Sequence, residues 1–151
     1  MSPEKHLISG IVLGGVIYAA KENLMAAGLC AAGCVSSDID HLLEYGIYSI
    51  KRKCKPSLKE FLSGQYFVKK GTIVLFLHGY EYALCLRIAS VLLGMRNCSG
   101  SVYLLSFTGG YASHLIMDLF GNVIGSWGYS FIYRAHMRFR EDRLCIKSHL
   151  K

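Results

Sequence analysis

Eight ionisable residues stand inside or beside apolar runs: His6, Asp38, Asp40, His41, His78, Glu81, His114 and Asp118. Imidazole nitrogen and carboxylate oxygen are ligand atoms for Zn²⁺, and a carboxylate-rich set also suits Mn²⁺ or Fe²⁺. The spacing is helical. His114 and Asp118 are four apart, His78 and Glu81 three apart, and Asp38 and His41 three apart, so each pair leaves one helical face. Asp40 would point elsewhere on a continuous helix. However, Ser36 and Ser37 offer a break, and Ser37 followed by Asp40 fits a capping-box start. The carboxylates at that helix N-terminus would then be free to converge.

The set exceeds what one tetrahedral ion needs and could supply two. A two-metal site holds both the attacking and the leaving oxygen of a displaced ester, so phosphoester hydrolysis is the natural reaction. The expected ligands of one or two divalent ions, with Zn²⁺ favoured over Mn²⁺ or Fe²⁺, are His6, Asp38, Asp40, His41, His78, His114 and Asp118. Asp40 and Glu81 are the candidates for a catalytic part, and Glu81 could instead orient His78. Taken singly, each histidine could equally bond a neighbouring Ser or carbonyl, and His6 could sit at an interface. Glu44, Tyr45 and Tyr48 read as an interfacial helix end, Arg87 as a snorkelling side chain, and His136 and His149 as solvated residues. Trp127, Tyr129 and Tyr133 fit an aromatic belt or a lid.

The elements that must position these residues are four apolar stretches, at about 7–20, 24–50, 72–95 and 101–120. Hydrophobic residues make up 52% of the chain, with 16 glycines besides, and charged residues only 18% against about 25% in an average domain. Mean hydropathy is +0.33. A spanning helix needs roughly 20 apolar residues, which the third and fourth stretches supply directly. These features predict an all-α integral membrane bundle of about four helices, arranged as two helical hairpins in a single domain over 1–151. Gly10 and Gly14 form a small-xxx-small spacing that lets two helices approach closely.

Thirteen of the seventeen Lys and Arg residues lie in a basic loop over 51–70 and a basic tail over 134–151. Basic blocks separated by apolar runs resemble cytoplasmic loops, so the N- and C-termini are expected on the cytoplasmic side. Membrane lipids are the expected partners, and no nucleic acid is expected. Oligomeric state is not indicated. The six cysteines form no CxxC pair, and no signal peptide is evident. With alternating helix direction, all four sets of polar residues fall in the same half of the bundle, at one depth.

At these positions the sequence resembles the YdjM-like, LexA-regulated family of metal-dependent hydrolases of the bacterial inner membrane. The resemblance rests on His6 with Gly10 and Gly14, the Asp38-x-Asp40-His41 box, His78, and the Gly110, Ser113, His114, Asp118 box. It spans most of 6–125 and implies metal-dependent hydrolysis in a multi-pass inner-membrane protein, with a metal pattern distantly similar to zinc-dependent phospholipase C. Two departures stand out: Ser37 replaces the usual Pro before the box, and the family's paired-His segment is reduced to His78 with Glu81. Three alternatives stay open on the sequence. They are a small transporter using the same residues as a proton or cation path, a membrane adaptor with a structural metal site, and a soluble basic helical protein.

Overall fold

The computed structural model describes residues 3–145. Runs of small and straight-chain apolar residues form the helices, and local capping sets their ends. Helix α1 (Pro3–Lys21) starts on a proline, whose missing N–H costs nothing in a first turn. Helix α2 (Leu24–Ser36) is capped by Asn23, whose side chain accepts from the Ala26 N–H at 3.0 Å. Ser37 separates it from α3 (Asp38–Arg52), so the sequence break is real, although Ser37 makes no side-chain cap bond. Two short helices follow, α4 (Leu58–Ser63) and α5 (Gln65–Lys70). The long helices α6 (Tyr80–Met95) and α7 (Gly100–Gly121) come next. A 3₁₀ turn (Ser126–Tyr129), α8 (Phe131–His136) and α9 (Glu141–Leu144) complete the described chain. Two isolated antiparallel bridges, Thr72 with Arg140 and Ile124 with Cys145, are its only β pairing among the described residues.

Helix α2 packs against both α1 and α7, and α7 also packs against α6, giving the spatial order α1–α2–α7–α6. Glycine makes the central contact possible. A Cβ on Gly110 would lie 1.9 Å from the Cys30 carbonyl oxygen, and one on Gly33 would lie 2.2 Å from that of Phe107. The Gly10 and Gly14 spacing acts similarly toward α2, where a Cβ at Gly14 would meet the Ala27 carbonyl oxygen at 2.8 Å.

The chain is all-helical, but none of its described helices is long and apolar enough to cross a membrane. This overturns the expected integral membrane bundle, its multi-pass inner-membrane location and the cytoplasmic placement of its termini. The physical reasons lie in particular segments. The stretch 72–95 becomes helical only at Tyr80. Before that point it is non-helical, with a turn at Phe76 and Leu77, because side chains and the tail claim its N–H groups. Ile73 donates to the Phe139 carbonyl at 2.8 Å, Val74 to Glu44 Oε1 at 3.0 Å, and Leu77 to Asp40 Oδ2 at 2.7 Å. The stretch 24–50 is cut at Ser37, leaving α2 only 13 residues long. In α1, Glu4, Lys5, His6 and Lys21 interrupt the apolar run, as His114 and Asp118 do in α7. Large apolar side chains still face outward, among them Leu7, Ile8, Ile11, Val12 and Val16 of α1.

The basic link is folded rather than extended. Tyr66 is fully buried against Tyr45 and Tyr48, and the Tyr45 hydroxyl lies 3.1 Å from both the Ser57 carbonyl and Glu60 Oε2. Glu44, Tyr45 and Tyr48 are therefore buried packing residues and not an interfacial helix end. The tail returns to the non-helical segment, where Leu144 packs on Ile73 and Leu75. Arg87, Trp127 and His136 are exposed, whereas Tyr129 is buried. His149 and the last basic residues, Lys147 and Lys151, lie outside the described residues.

The α2–α7 contact makes a direct prediction. Gly110→Ala forces a methyl into a backbone carbonyl and should cost about 3 kcal/mol, the upper end of overpacking effects. Gly15→Ala, with open space around the new Cβ, should be neutral or slightly stabilising. Urea unfolding midpoints of the two variants beside wild type check this, and equal midpoints for Gly110→Ala and wild type would refute the close approach.

Candidate metal centre

The site is assembled from three helices, α1, α3 and α7, and the non-helical segment before α6. On α7, His114 and Asp118 stand one turn apart on the face that meets α2. Cys34 lies in the last turn of α2, where carbonyls have no intrahelical partner. Its carbonyl accepts from His114 Nδ1 at 2.7 Å. A carbonyl can only accept, so Nδ1 carries the hydrogen and Nε2 presents a lone pair inward. This is the usual outer support of a metal-binding histidine. His6, from α1, stacks on the His114 ring at 3.8 Å, with its Nε2 3.1 Å from Asp118 Oδ1.

His78 comes from the non-helical segment and is clamped from three sides. Asp40 takes the Leu77 N–H, Arg134 Nη2 donates to the His78 carbonyl at 2.7 Å, and the Tyr111 hydroxyl donates to the Leu77 carbonyl. Its Nδ1 hydrogen-bonds Asp40 Oδ2 at 3.3 Å, with Oδ1 of the same carboxylate 3.1 Å away. That hydrogen bond turns His78 Nε2 toward His114 Nε2, at 3.1 Å. Asp118 Oδ2 lies 3.4 Å from the first nitrogen and 3.5 Å from the second. Asp38 Oδ1 stands 4.0 Å from His114 Nε2.

These separations match a ligand shell. Donors about 2.0–2.2 Å from a tetrahedral Zn²⁺ stand roughly 3.3–3.6 Å from one another. The triangle of His78 Nε2, His114 Nε2 and Asp118 Oδ2 has close to that size, with Asp38 beside it. Three overlapping groups can hold an ion: His6, His114 and Asp118; Asp38, His78 and His114; and Asp40, His41 and His78. Orphaned polar atoms support the fit, because His6 Nδ1 and Asp38 Oδ2 are buried without a hydrogen-bond partner.

Electrostatics point the same way. Burial alone would lower the His78 pKa, but the carboxylates of Asp118 and Asp40 push it up to about 9. Burial raises the Asp38 carboxyl above its ordinary range, against the pull of His114, His6 and His78. For Asp118 burial acts upward too, yet the imidazoles of His114, His6 and His78 packed around it hold its carboxyl far below the usual range. His41 is depressed to about 3, by burial first and then by the neighbouring His78 charge, so it stays neutral. Its Nδ1 lies 3.3 Å from the Tyr66 hydroxyl, and its ring meets His78 edge-on at 4.8 Å.

Seven expected residues thus gather in one place: His6, Asp38, Asp40, His41, His78, His114 and Asp118. Asp40 orients His78 and holds its backbone, a supporting position. Glu81 is elsewhere. Its carboxylate accepts from Ser130 Oγ at 2.5 Å and from the Phe131 and Ile132 N–H groups at 3.0 and 3.2 Å, tying down the start of α8. Burial would raise its pKa, but those donors outweigh it and hold the carboxyl below its ordinary range. Glu81 therefore does not orient His78. Sequence reasoning missed Arg134, which it assigned to the basic tail. The available signal was the aromatic and apolar run Phe131–Tyr133 before it, which sets it apart from Arg138, Arg140 and Arg143. A cavity of about 400 Å³ adjoins the cluster, with Asp38, His41, His78, Asp118 and Arg134 on its wall.

Comparison with protein-family models, with curated proteins and with solved structures finds no match to this chain. Fold and site define the class by themselves: an all-helical protein whose buried His and Asp clusters can hold a metal ion.

The His78 proton has to leave when an ion binds to Nε2. With a pKa raised to about 9, His78 is protonated at pH 7, so a rising pH removes the competing proton. Zn²⁺ affinity should climb by about tenfold per pH unit from pH 7 and flatten above about pH 9. Calorimetric titration across that range, in two buffers of different ionisation enthalpy, measures both affinity and proton release. Constant affinity with no released proton would show that His78 is not a ligand.

Proposed function

We propose that this protein is a metal-dependent hydrolase acting on a phosphoester, with a divalent ion, Zn²⁺ by preference, held by His78, His114 and Asp118. One observation carries the reading: two imidazole nitrogens and a carboxylate oxygen converge at 3.1–3.5 Å beside a cavity. Asp38, 4.0 Å from His114 Nε2, would complete the shell, and His6 with His114 and Asp118 forms a second candidate group. A divalent ion bound there would supply Lewis acidity toward a phosphoryl oxygen and acidify water.

The chain's own residues supply the rest. Cys34 and Asp40 fix the tautomers of His114 and His78, so that both Nε2 atoms face the ion without reorganisation. The stacked His6 and the α2–α7 contact keep bulk water from the inner side, where His6, His114 and Asp118 are at most 2% exposed. Access is through the cavity side, at Asp38 and His41, both partly exposed. His41 meets that cavity as a neutral imidazole. The YdjM-like resemblance supports the same chemistry.

A closed structural ion is the second reading, favoured by the near-complete burial of His6 and His114. The two differ in outcome. A hydrolase centre should turn over bis-p-nitrophenyl phosphate or p-nitrophenyl phosphate when loaded with Zn²⁺ or Mn²⁺, whereas a structural ion supports folding alone. Elemental analysis of purified wild type should find bound metal. His114→Ala and Asp118→Asn should lose it and lower turnover by at least about a hundredfold, in line with losing a metal or its orientation. Metal content equal to wild type in both variants would sink the ligand assignment. Full metal with no turnover on any phosphoester tried would favour the structural ion.

A further inference from the structure

We infer that Arg134 is a binding residue for the anionic group of the substrate, and that the substrate is a phosphoester with an apolar substituent. The inference deepens the proposed hydrolase reading, since it concerns the cavity beside that metal centre. Arg134 is 1% exposed and lines the same cavity as Asp38, His78 and Asp118. Among the described residues its guanidinium makes one hydrogen bond, from Nη2 to the His78 carbonyl, and lies 5.9 Å from the Phe131 ring, while its Nε–H is buried without a partner. Among the described residues no ion pair joins it to a carboxylate; burial dominates its environment, and Asp40 and Glu81 act on it only over a longer range.

Such a group is an anomaly. Arginine cannot shed its proton inside a protein, and a buried charge with unused donors is costly. Its planar fork matches the paired oxygens of a phosphate or carboxylate. An oxyanion in the cavity would therefore satisfy Arg134 on one side while meeting an ion at His78 and Asp118 on the other. The remaining wall is mostly apolar, with Phe61, Ile73, Leu75 and Ile124 on it, and also carries Gln65, Asn122 and Glu141. The apolar part of that surface favours an alkyl or aryl ester group, which gains affinity by leaving water.

The test is calorimetric binding of two probes, inorganic phosphate and octyl phosphate, to Zn²⁺-loaded wild type, Arg134→Met and Arg134→Lys, with zinc content measured on each sample. Octyl phosphate should bind wild type at least about tenfold more tightly than inorganic phosphate. Compared at equal measured zinc occupancy, Arg134→Met should weaken both by about tenfold or more, the effect of losing a charge-assisted hydrogen bond. Arg134→Lys, which keeps the charge without the fork, should fall between and serves alone if the methionine variant does not fold. Wild-type affinity in both variants, or no binding of either probe to wild type, overturns the inference. Equal affinity for the two probes overturns the apolar substituent. If wild type takes up no zinc, the hydrolase reading fails separately, and loss of phosphate binding in Arg134→Met still supports the anion site.

Discussion

Two imidazole nitrogens face one another at 3.1 Å in the centre of this protein, and each has its other nitrogen already committed. His114 Nδ1 donates to the Cys34 carbonyl, and His78 Nδ1 faces the Asp40 carboxylate. Two neutral rings in this arrangement would point lone pairs at each other. The repulsion is relieved only by a cation between them, either a proton or a metal ion. The carboxylates of Asp118 and Asp40 raise the His78 pKa to about 9 against the effect of burial, so at neutral pH His78 carries that proton. A divalent ion would replace that proton at a position already lined by Asp118.

Much of the fold can be understood as what holds those two nitrogens in place. The His114 bond to Cys34 needs α2 and α7 closer than any side chain but hydrogen permits, and Gly33 and Gly110 allow it. It also needs α2 to stop at Ser36, so that the Cys34 carbonyl is left free. The His78 side of the pair needs a non-helical segment, because a helix through 72–79 would satisfy the N–H groups that Glu44 and Asp40 now hold. Arg134 and Tyr111 fix the carbonyls of the same segment. Buried polar groups are satisfied by one another here, and removing one leaves its partner exposed to the full desolvation cost.

The sequence disclosed this centre better than the frame around it. Helical spacing placed His114 and Asp118 on one face, and the Ser36–Ser37 break before Asp38 is where α2 ends. The Gly10 and Gly14 spacing marked a close helix contact that is present. What failed was the reading of 72–95 as one apolar helix crossing a membrane. Composition carries no record of hydrogen bonds to residues some thirty positions away, and those bonds keep 72–79 out of the helix. Glu44 and Glu81 were misplaced for the same reason: each ties down a backbone segment remote in sequence. Arg134 looked like one more basic tail residue because burial of a charge is decided by tertiary packing, to which residue counts are blind.

The most direct test of the central claim is X-ray absorption spectroscopy at the zinc edge on the loaded protein. Two imidazole nitrogens and carboxylate oxygen at about 2.0–2.2 Å, with the outer-shell scattering of the imidazole rings, are expected. Substituting His78→Ala should remove one of those rings from the spectrum. A shell of oxygen alone, or one built on cysteine sulfur at about 2.3 Å, would contradict an ion seated between His78 and His114.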